Sequence, residues 1–372
     1  MSELLEKILS RDNMNAAYKR VCANKGAGGV DEVTVEELGD YIKENWDNIR
    51  EQIRRREYKP QPVRRVEIPK PNGGVRKLGI PAVMDRVIQQ GIVQVMSPMC
   101  EPLFLGWSYG FRPNRSCEMT IRQLLVYLNE GYEWIVDIDL EKFFDNVPQD
   151  KLMDKELEAR GLRFTRYADD CVIAVKSESS AKRVMRTVSD WIQGKLGLKV
   201  NMTKTHITRP QKLKYLGFGF YKDSKAKEWK CRPHQDSVKK FKSKLKELTC
   251  RRMPGTVTGK IVKVNQVIRG WINYYALGSM KTAMADIDAH LRTRFRVIIW
   301  KQWKVPKKRQ WGLQKLGNGK DLARLTSYCG DRYYWVATKT CFSRAISKEV
   351  LAKAGLISCL DYYNERHALK LC

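Results

Sequence analysis

The chain has 372 residues, and its 70 Lys and Arg against 41 Asp and Glu give a net charge of +29. So large an excess of positive charge destabilises a compact chain through repulsion between its cations. It favours binding to a polyanion, because each Lys or Arg placed on a phosphate releases counterions. No apolar run reaches the length of about 18 residues that a membrane span needs, and the acidic N-terminus is unlike a signal peptide, so a cytoplasmic protein without membrane contact is expected. The ten Cys form no C-x-x-C pair, which disfavours a zinc site and favours small buried side chains.

Taken in chain order, the first half of the sequence predicts alternating helices and strands. Residues 1–60 predict helices around a glycine-rich loop at 25–31, and residues 63–81 predict a hairpin because two β-rich runs flank Pro-Asn-Gly-Gly. The further predictions are helices at about 82–96, 116–129, 149–160 and 179–196, an apolar strand at 134–140, a strand–turn–strand at 163–175 and short strands within 198–220.

The composition changes after residue 221. Residues 222–309 contain 24 Lys and Arg but only 6 Asp and Glu, and apolar residues recur there at helical spacing. This pattern predicts a basic helical domain with a polyanionic partner. A small mixed segment rich in Tyr and Arg follows from about residue 316.

Three carboxylates are the candidate catalytic residues. Asp169 and Asp170 lie at the predicted hairpin tip, where two adjacent like charges favour a nearby cation, and Asp139 adds a third carboxylate on an apolar strand. Oxygen ligands of this kind suit Mg²⁺, and two such ions can activate a 3′ hydroxyl and stabilise pyrophosphate as it leaves. The alternative is that the Asp pair only forms a polar turn.

The sequence around these residues resembles a known enzyme family. Tyr167-Ala168-Asp169-Asp170 matches the Tyr-Ala-Asp-Asp box of group II intron reverse transcriptases, and residues 139–145 resemble their first palm motif. The resemblance implies that Asp139, Asp169 and Asp170 bind two Mg²⁺, with Mn²⁺ as a substitute. It also implies that Phe143 and its neighbour Phe144 crowd a ribose 2′-hydroxyl and so select deoxynucleotides.

Four further segments resemble boxes of the same family, two before and two after these residues, and their order along the chain is that of the family. Residues 68–81 resemble its fingers motif, in which Lys70 and Arg76 contact the incoming triphosphate. Residues 108–113, with Arg112, resemble the box that positions template and nucleotide, and residues 198–205 and 215–218 resemble the last two palm boxes. Lys204 would then protonate the leaving pyrophosphate, and the alternative is a solvated lysine at a strand end.

Residues 270–275 and 298–304 resemble the thumb, or maturase, region. Cations interleaved with aromatic rings can grip a nucleic-acid backbone and stack on bases, although the same rings could instead form the core of helices with a solvated basic face. Residues 333–356 resemble the small DNA-binding appendage of the family, and no His/Cys nuclease motif follows, as in members that lack an endonuclease. The residues predicted to contact RNA or DNA are Arg251, Arg252, Lys263, Arg269, Trp271, Tyr274, Tyr275, Arg294, Trp300, Lys301 and Trp303.

The resemblance implies an α+β fold of the right-hand polymerase type. Its parts would be an N-terminal extension and fingers at 1–115, a ferredoxin-like antiparallel palm at 116–225, a basic all-helical thumb at 226–310 and a small C-terminal unit at 311–372. The implied activity is RNA-directed DNA synthesis together with a maturase role in assisting intron splicing. The implied partners are structured intron RNA, an RNA template with a DNA primer, and target DNA.

The sequence departs from the family at one place. Tyr167 follows Asp145 after 22 positions, whereas the family has several dozen residues there, including a Thr-Pro-Gln-Gly-Gly-Pro-Leu-Ser-Pro box. Residues 151–153 resemble the start of one family helix and residues 154–160 the end of the next, so a join near 153/154 is predicted. We therefore keep two alternatives to an active polymerase: an RNA-binding maturase-like protein with an impaired palm, and a relative of retron or CRISPR-associated reverse transcriptases.

Overall fold

The computed structural model of the chain describes residues 3–69, 73–139 and 150–371. Lys70, Phe143 and Phe144 lie outside these residues. The chain folds into two compact units, Met1–Leu105 and Gly106–Cys372, so the first unit ends ten residues before the predicted end of the fingers. Among the described residues, we find no helix with the length and apolar character needed to cross a bilayer.

The first unit combines helices with one exposed hairpin. Met14, Ala17 and Val21 lie on one helical face and pack with Leu38 and Val87 in a small core. The strands of the hairpin are antiparallel and pair Ile68 with Arg76. The elements are α1 (Glu3–Leu9), α2 (Arg11–Ala23), α3 (Leu38–Arg54), β1 (Arg64–Pro69), β2 (Val75–Ile80) and α4 (Val83–Cys100).

The second unit begins with a four-stranded antiparallel sheet. Its described elements are α5 (Cys117–Asn129), β3 (Trp134–Ile138), α6 (Asp150–Ala159), β4 (Arg163–Tyr167), β5 (Asp170–Val175), α7 (Glu178–Leu196) and β6 (His206–Thr208). The strand order is β4-β5-β3-β6, which is the order of a ferredoxin-like β-α-β-β-α-β unit. The Ser177 hydroxyl caps the start of α7 by accepting a hydrogen bond from Ser180 N, and Gly197 ends the helix in a left-handed conformation at φ 63°.

A second hairpin and a series of helices complete this unit. One continuous core runs from the inner face of the sheet to the C-terminal helix and includes Trp300, Phe295 and Phe342, which are fully buried. The elements are β7 (Phe218–Lys222), β8 (Trp229–Pro233), α8 (Gln235–Leu248), α9 (Val257–Tyr275), α10 (Lys281–Gln302), α11 (Pro306–Lys315), α12 (Lys320–Ser327), α13 (Tyr333–Thr338), α14 (Thr340–Ala345), α15 (Lys348–Lys353) and α16 (Cys359–Leu371).

Candidate active site

The β4–β5 hairpin carries two of the three candidate carboxylates at its tip. Tyr167 pairs with Asp170, so Ala168 and Asp169 form the turn, and Ala168 adopts the left-handed conformation with φ 57°. The five residues from Cys171 to Val175 are buried, whereas Asp169 and Asp170 reach the solvent at the end of the hairpin, Asp170 with part of its side chain covered. The apolar strand thus anchors the sheet while its end presents the acids.

The third carboxylate follows the neighbouring strand. Ile138 of β3 lies opposite Cys171 of β5, so the antiparallel register leads from that pair to Asp139 and Asp170. The main chain of Asp139 is fixed by the segment after α7, because its N–H donates to Thr205 Oγ1 at 3.2 Å and its carbonyl accepts from Asn201 N at 2.8 Å. The sheet therefore brings residues 139, 169 and 170 to one edge.

The acids at this edge repel one another. Partial burial raises the pKa of Asp170 to about 6, and the charges of Asp169 and then Asp139 raise it further while Lys204 opposes them. Burial likewise raises the pKa of Asp137 to about 6, against the effect of His206 and with the help of Asp170 and Asp139. A bound cation would relieve this repulsion.

Lys204 currently provides positive charge at this edge. Its ammonium Nζ donates to both carboxylate oxygens of Asp139, at 3.1 and 3.3 Å. Within residues 3–69, 73–139 and 150–371, no three His, Cys, Asp or Glu side chains are arranged as a metal cluster. The carboxylate oxygens of the three acids are the hard ligands that Mg²⁺ prefers. For all three acids to bind one ion, Asp139 would have to give up its contact with Lys204.

The other residues predicted to bind nucleotide are not all placed by the structure. Arg76 is exposed on β2 of the first unit. The guanidinium of Arg112 donates to the carbonyl of Ser108 at 2.6 Å and thus stabilises its own loop. Lys70, Phe143 and Phe144 remain predictions outside the described residues.

The residues predicted to contact nucleic acid divide into a surface group and a core group. The exposed ones are Arg251, Arg252, Lys263, Arg269, Tyr274 and Lys301. Arg294 is partly buried and holds the end of α8, donating to the Thr249 carbonyl at 3.1 Å and to the Lys246 carbonyl at 2.8 Å.

Four predicted aromatic contacts serve mainly the core. Trp300 is fully buried and donates its indole N–H to the Gly330 carbonyl at 3.0 Å, so it cannot stack on a base, and Tyr275 is 9% exposed. Trp271 stacks on Phe241 with ring centroids 4.3 Å apart, and Trp303 is partly buried with its ring 6.0 Å from that of Phe342. For Trp300 and Tyr275 the prediction of a base contact is corrected, because the helical spacing that suggested a binding face is also that of a core.

Two residues near the tip were missed by sequence reasoning. Arg166 is buried in β4, where it forms a bidentate ion pair with Asp154 of α6 at 2.8 and 2.6 Å. The available signal was a charged residue inside an apolar strand, because a buried guanidinium needs an acidic partner.

Two family models and several curated proteins match this chain. The family model described as reverse transcriptase (RNA-dependent DNA polymerase) matches residues 68–163 and 153–220, and the model for the group II intron maturase-specific domain matches residues 238–317. The chain is 33% identical over 149 residues to the group II intron-encoded protein LtrA of Lactococcus lactis subsp. cremoris, covering 39% of this chain and 24% of that protein. The chain belongs to the group II intron-encoded reverse transcriptase/maturase family.

Two further relatives show how far this likeness extends. Protein YkfC of Escherichia coli K12 is 36% identical over 159 residues, which are 41% of this chain and 42% of YkfC. An uncharacterized 91 kDa protein in a cob intron of Schizosaccharomyces pombe is 33% identical over 149 residues, 39% of this chain and 18% of that protein. The chain thus spans less than half the length of these curated relatives.

A solved telomerase from Candida albicans, in complex with a fragment of telomeric RNA, matches over 76% of this chain and 65% of that one. The TM-score is 0.32 and the sequence identity is 11%, so this likeness is too low to bear on the fold.

The reverse transcriptase model matches this chain in two segments that overlap at residues 153–163. That overlap includes residues 153 and 154, where the sequence predicts a join between two family helices.

Proposed function

We propose that this group II intron-family protein is an RNA-directed DNA polymerase in which Asp139, Asp169 and Asp170 hold two Mg²⁺ ions. The observation that carries the proposal is the β3–β5 register, which leads from the pair Ile138 and Cys171 directly to Asp139 and Asp170. The raised pKa of Asp170 supports it, because carboxylates that repel each other at one edge form a site for a cation.

The proposed architecture is a right-hand polymerase. The four-stranded sheet and its helices would be the palm within 116–225, residues 1–115 the fingers, the basic helices within 226–310 the thumb, and 311–372 a small DNA-binding unit. The proposed partners are structured intron RNA, an RNA template with a DNA primer, and target DNA, because the exposed cations of the thumb suit phosphate backbones.

Each residue of the site has a proposed task. Bound Mg²⁺ would supply Lewis-acid stabilisation of the attacking and leaving oxygens. Asp139 would release the ammonium of Lys204, which is then free to neutralise the departing pyrophosphate. Lys70 and Arg76 would bind the triphosphate, Arg112 would keep its loop in place, and Phe143 with Phe144 would exclude a ribose 2′-hydroxyl.

Primer extension on an RNA template, with Mg²⁺ or Mn²⁺, tests this proposal. We expect extension by the wild type and product at background for Asp169→Asn. The matched control is Asp190→Asn, because Asp190 is an exposed carboxylate on α7 and its loss should leave extension unchanged. Equal extension by the wild type and Asp169→Asn would refute the proposed metal site.

A second candidate function is RNA binding by a maturase whose palm is inert. It is favoured by the local excess of 24 basic over 6 acidic residues at 222–309 and by the short interval between Asp145 and Tyr167. Wild-type protein that extends no primer, yet binds structured RNA with a steep dependence on salt, would establish this function instead.

A further inference from the structure

A buried ion pair lies directly behind the carboxylate-bearing turn. Arg166 Nε donates to Asp154 Oδ1 at 2.8 Å, and its Nη2 donates to Asp154 Oδ2 at 2.6 Å. The side chains of Arg166 and Asp154 are only 4% and 2% exposed. A forked contact of this kind fixes the orientation of the guanidinium as well as its position.

Arg166 extends this contact to the turn itself. Its Nη1 donates to the carbonyl of Ala168 at 3.3 Å, which is the residue between Tyr167 and Asp169. Its Nη2 also donates to Ser108 Oγ at 3.3 Å. One side chain therefore connects α6, the segment around residue 108 and the main chain that carries the two acids.

The backbone of Arg166 is held by the same segment. Its N–H donates to the Trp107 carbonyl at 3.0 Å, and its carbonyl accepts from Tyr109 N at 2.9 Å, so residues 107–109 add a short parallel bridge to β4. At the next residue, Gly110, an added Cβ would overlap the main-chain nitrogen of Ala168. The turn is thus contacted both by Gly110 of the 107–110 segment and by the Arg166 guanidinium.

The energetics favour a role in orientation rather than in stability. Burying two charges costs much of what their attraction contributes, and apolar residues of similar volume often stabilise a core equally well. Asp154 lies between Met153 and Leu157, both buried on the inner face of α6, so the surrounding core would accept an apolar side chain. What an apolar pair lacks is a donor for the Ala168 carbonyl.

We infer that Asp154 and Arg166 are positioning residues that hold the Ala168 turn so that Asp169 and Asp170 can bind divalent cations together with Asp139. The inference rests on the proposed polymerase function and deepens it. Asp154 is also one of the two residues at the predicted join, so in this chain the contact between α6 and the hairpin is made at the join itself.

The experiment measures binding of Mn²⁺ alone to the full chain, by the electron paramagnetic resonance signal of free Mn²⁺, next to the melting temperature of each variant. The decisive variant is the double substitution Asp154→Leu with Arg166→Met, which replaces the pair by apolar side chains. We expect a melting temperature close to that of the wild type and a Mn²⁺ Kd about tenfold higher, as for the loss of a residue that orients metal ligands.

Two further variants keep the result interpretable. Asp288→Asn is the stability control, because Asp288 is a buried carboxylate that accepts hydrogen bonds from Cys359 N at 2.7 Å and Leu360 N at 3.0 Å, away from the sheet. It should lower the melting temperature and leave Mn²⁺ affinity unchanged. If the double variant does not fold, Ser108→Ala, which removes one contact to Arg166, should still raise the Mn²⁺ Kd measurably.

The outcomes separate this inference from the proposed function. A folded double variant, or a folded Ser108→Ala, with wild-type Mn²⁺ affinity would overturn the positioning role while leaving the metal site intact. If the wild type and Asp169→Asn bind Mn²⁺ equally, the metal site itself fails, and the positioning role fails with it.

Discussion

Among single residues, Asp170 shows how the acidic edge affects stability. Its pKa is raised to about 6 by partial burial and by the charges of Asp169 and Asp139. Because the pKa in the folded state lies above the usual value near 4, folding favours the protonated form. The contribution of this carboxyl to stability is therefore present at low pH and is lost as the pH rises through about 6.

Asp170→Asn should stabilise the metal-free protein at neutral pH. We expect a free energy of unfolding about 1 kcal/mol higher than that of the wild type at pH 7.5, a modest value because Asp170 keeps part of its surface in water. Near pH 4 the two proteins should be equally stable. Urea unfolding in the presence of a chelator measures both values, and a variant less stable than the wild type at pH 7.5 would contradict the prediction.

Gly110 is a residue whose identity the hairpin does require, because of its close approach to Ala168. An added methyl group would collide with the backbone of Ala168, which is not free to move because Arg166 holds its carbonyl. We expect Gly110→Ala to lower the free energy of unfolding by about 1–3 kcal/mol, the usual cost of overpacking. Gly106→Ala is the matched control in the same segment, since a Cβ there meets nothing within 4 Å. Equal urea midpoints for the two variants would argue against close packing at the tip.

The sequence allowed prediction of where the three acids lie, two at a hairpin tip and one at a neighbouring strand, but not of the residues that support them. Asp169 and Asp170 stand out because carboxylates interrupt apolar strands, and this signal is local. The partner of Arg166 depends on which face of α6 packs on the sheet, which periodicity over ten residues leaves open. The contact of Lys204 with Asp139 likewise joins residues 65 positions apart, and neither residue type nor spacing predicts it.

Among secondary-structure elements, those with strong periodicity were predicted closely. The hairpin expected at 63–81 is confirmed as β1 and β2, and the helices expected at 116–129, 149–160 and 179–196 are confirmed as α5, α6 and α7 within two residues at each end. The segment from residue 316 was expected to be mixed, yet its described part forms only helices. Helices of six to eight residues, such as α12 to α15, are too short to show a clear period in the sequence.

Helix α9 separates a core face from a basic face, and this division can be tested. Trp271 stacks on Phe241, whereas Arg269 is exposed two residues earlier. We expect Trp271→Ala to cost about 2–4 kcal/mol of unfolding free energy, because a large partly buried ring is lost.

Arg269→Ala should leave that unfolding free energy unchanged and weaken RNA binding instead, with the slope of log K against log salt reduced by about 1. Thermal melting and filter-binding titrations at several salt concentrations measure the two effects. Unchanged RNA binding by Arg269→Ala would remove this face of α9 from the proposed interface.

In the whole molecule, the two units have separate cores. The buried cluster of the first unit draws on residues from Met14 to Ile88, and the cluster that connects the sheet with the C-terminal helices draws on residues from Ile121 to Tyr363. No residue of the described part is shared between these two clusters. Each unit therefore contains the buried apolar surface that cooperative folding needs.

A fragment of residues 106–372 should consequently fold by itself. It retains β3, the β4–β5 hairpin, α6 and the 107–110 segment, so we expect a cooperative thermal transition and Mn²⁺ binding that is lost in Asp169→Asn, as in the full chain. A fragment that begins at residue 140 is the control. It lacks β3 and, with it, the strand that joins β5 to β6, and it should not unfold cooperatively. Circular dichroism melting and hydrogen exchange of the β5 amides measure these differences, and a 106–372 fragment without protected β5 amides would show that its core depends on the first unit.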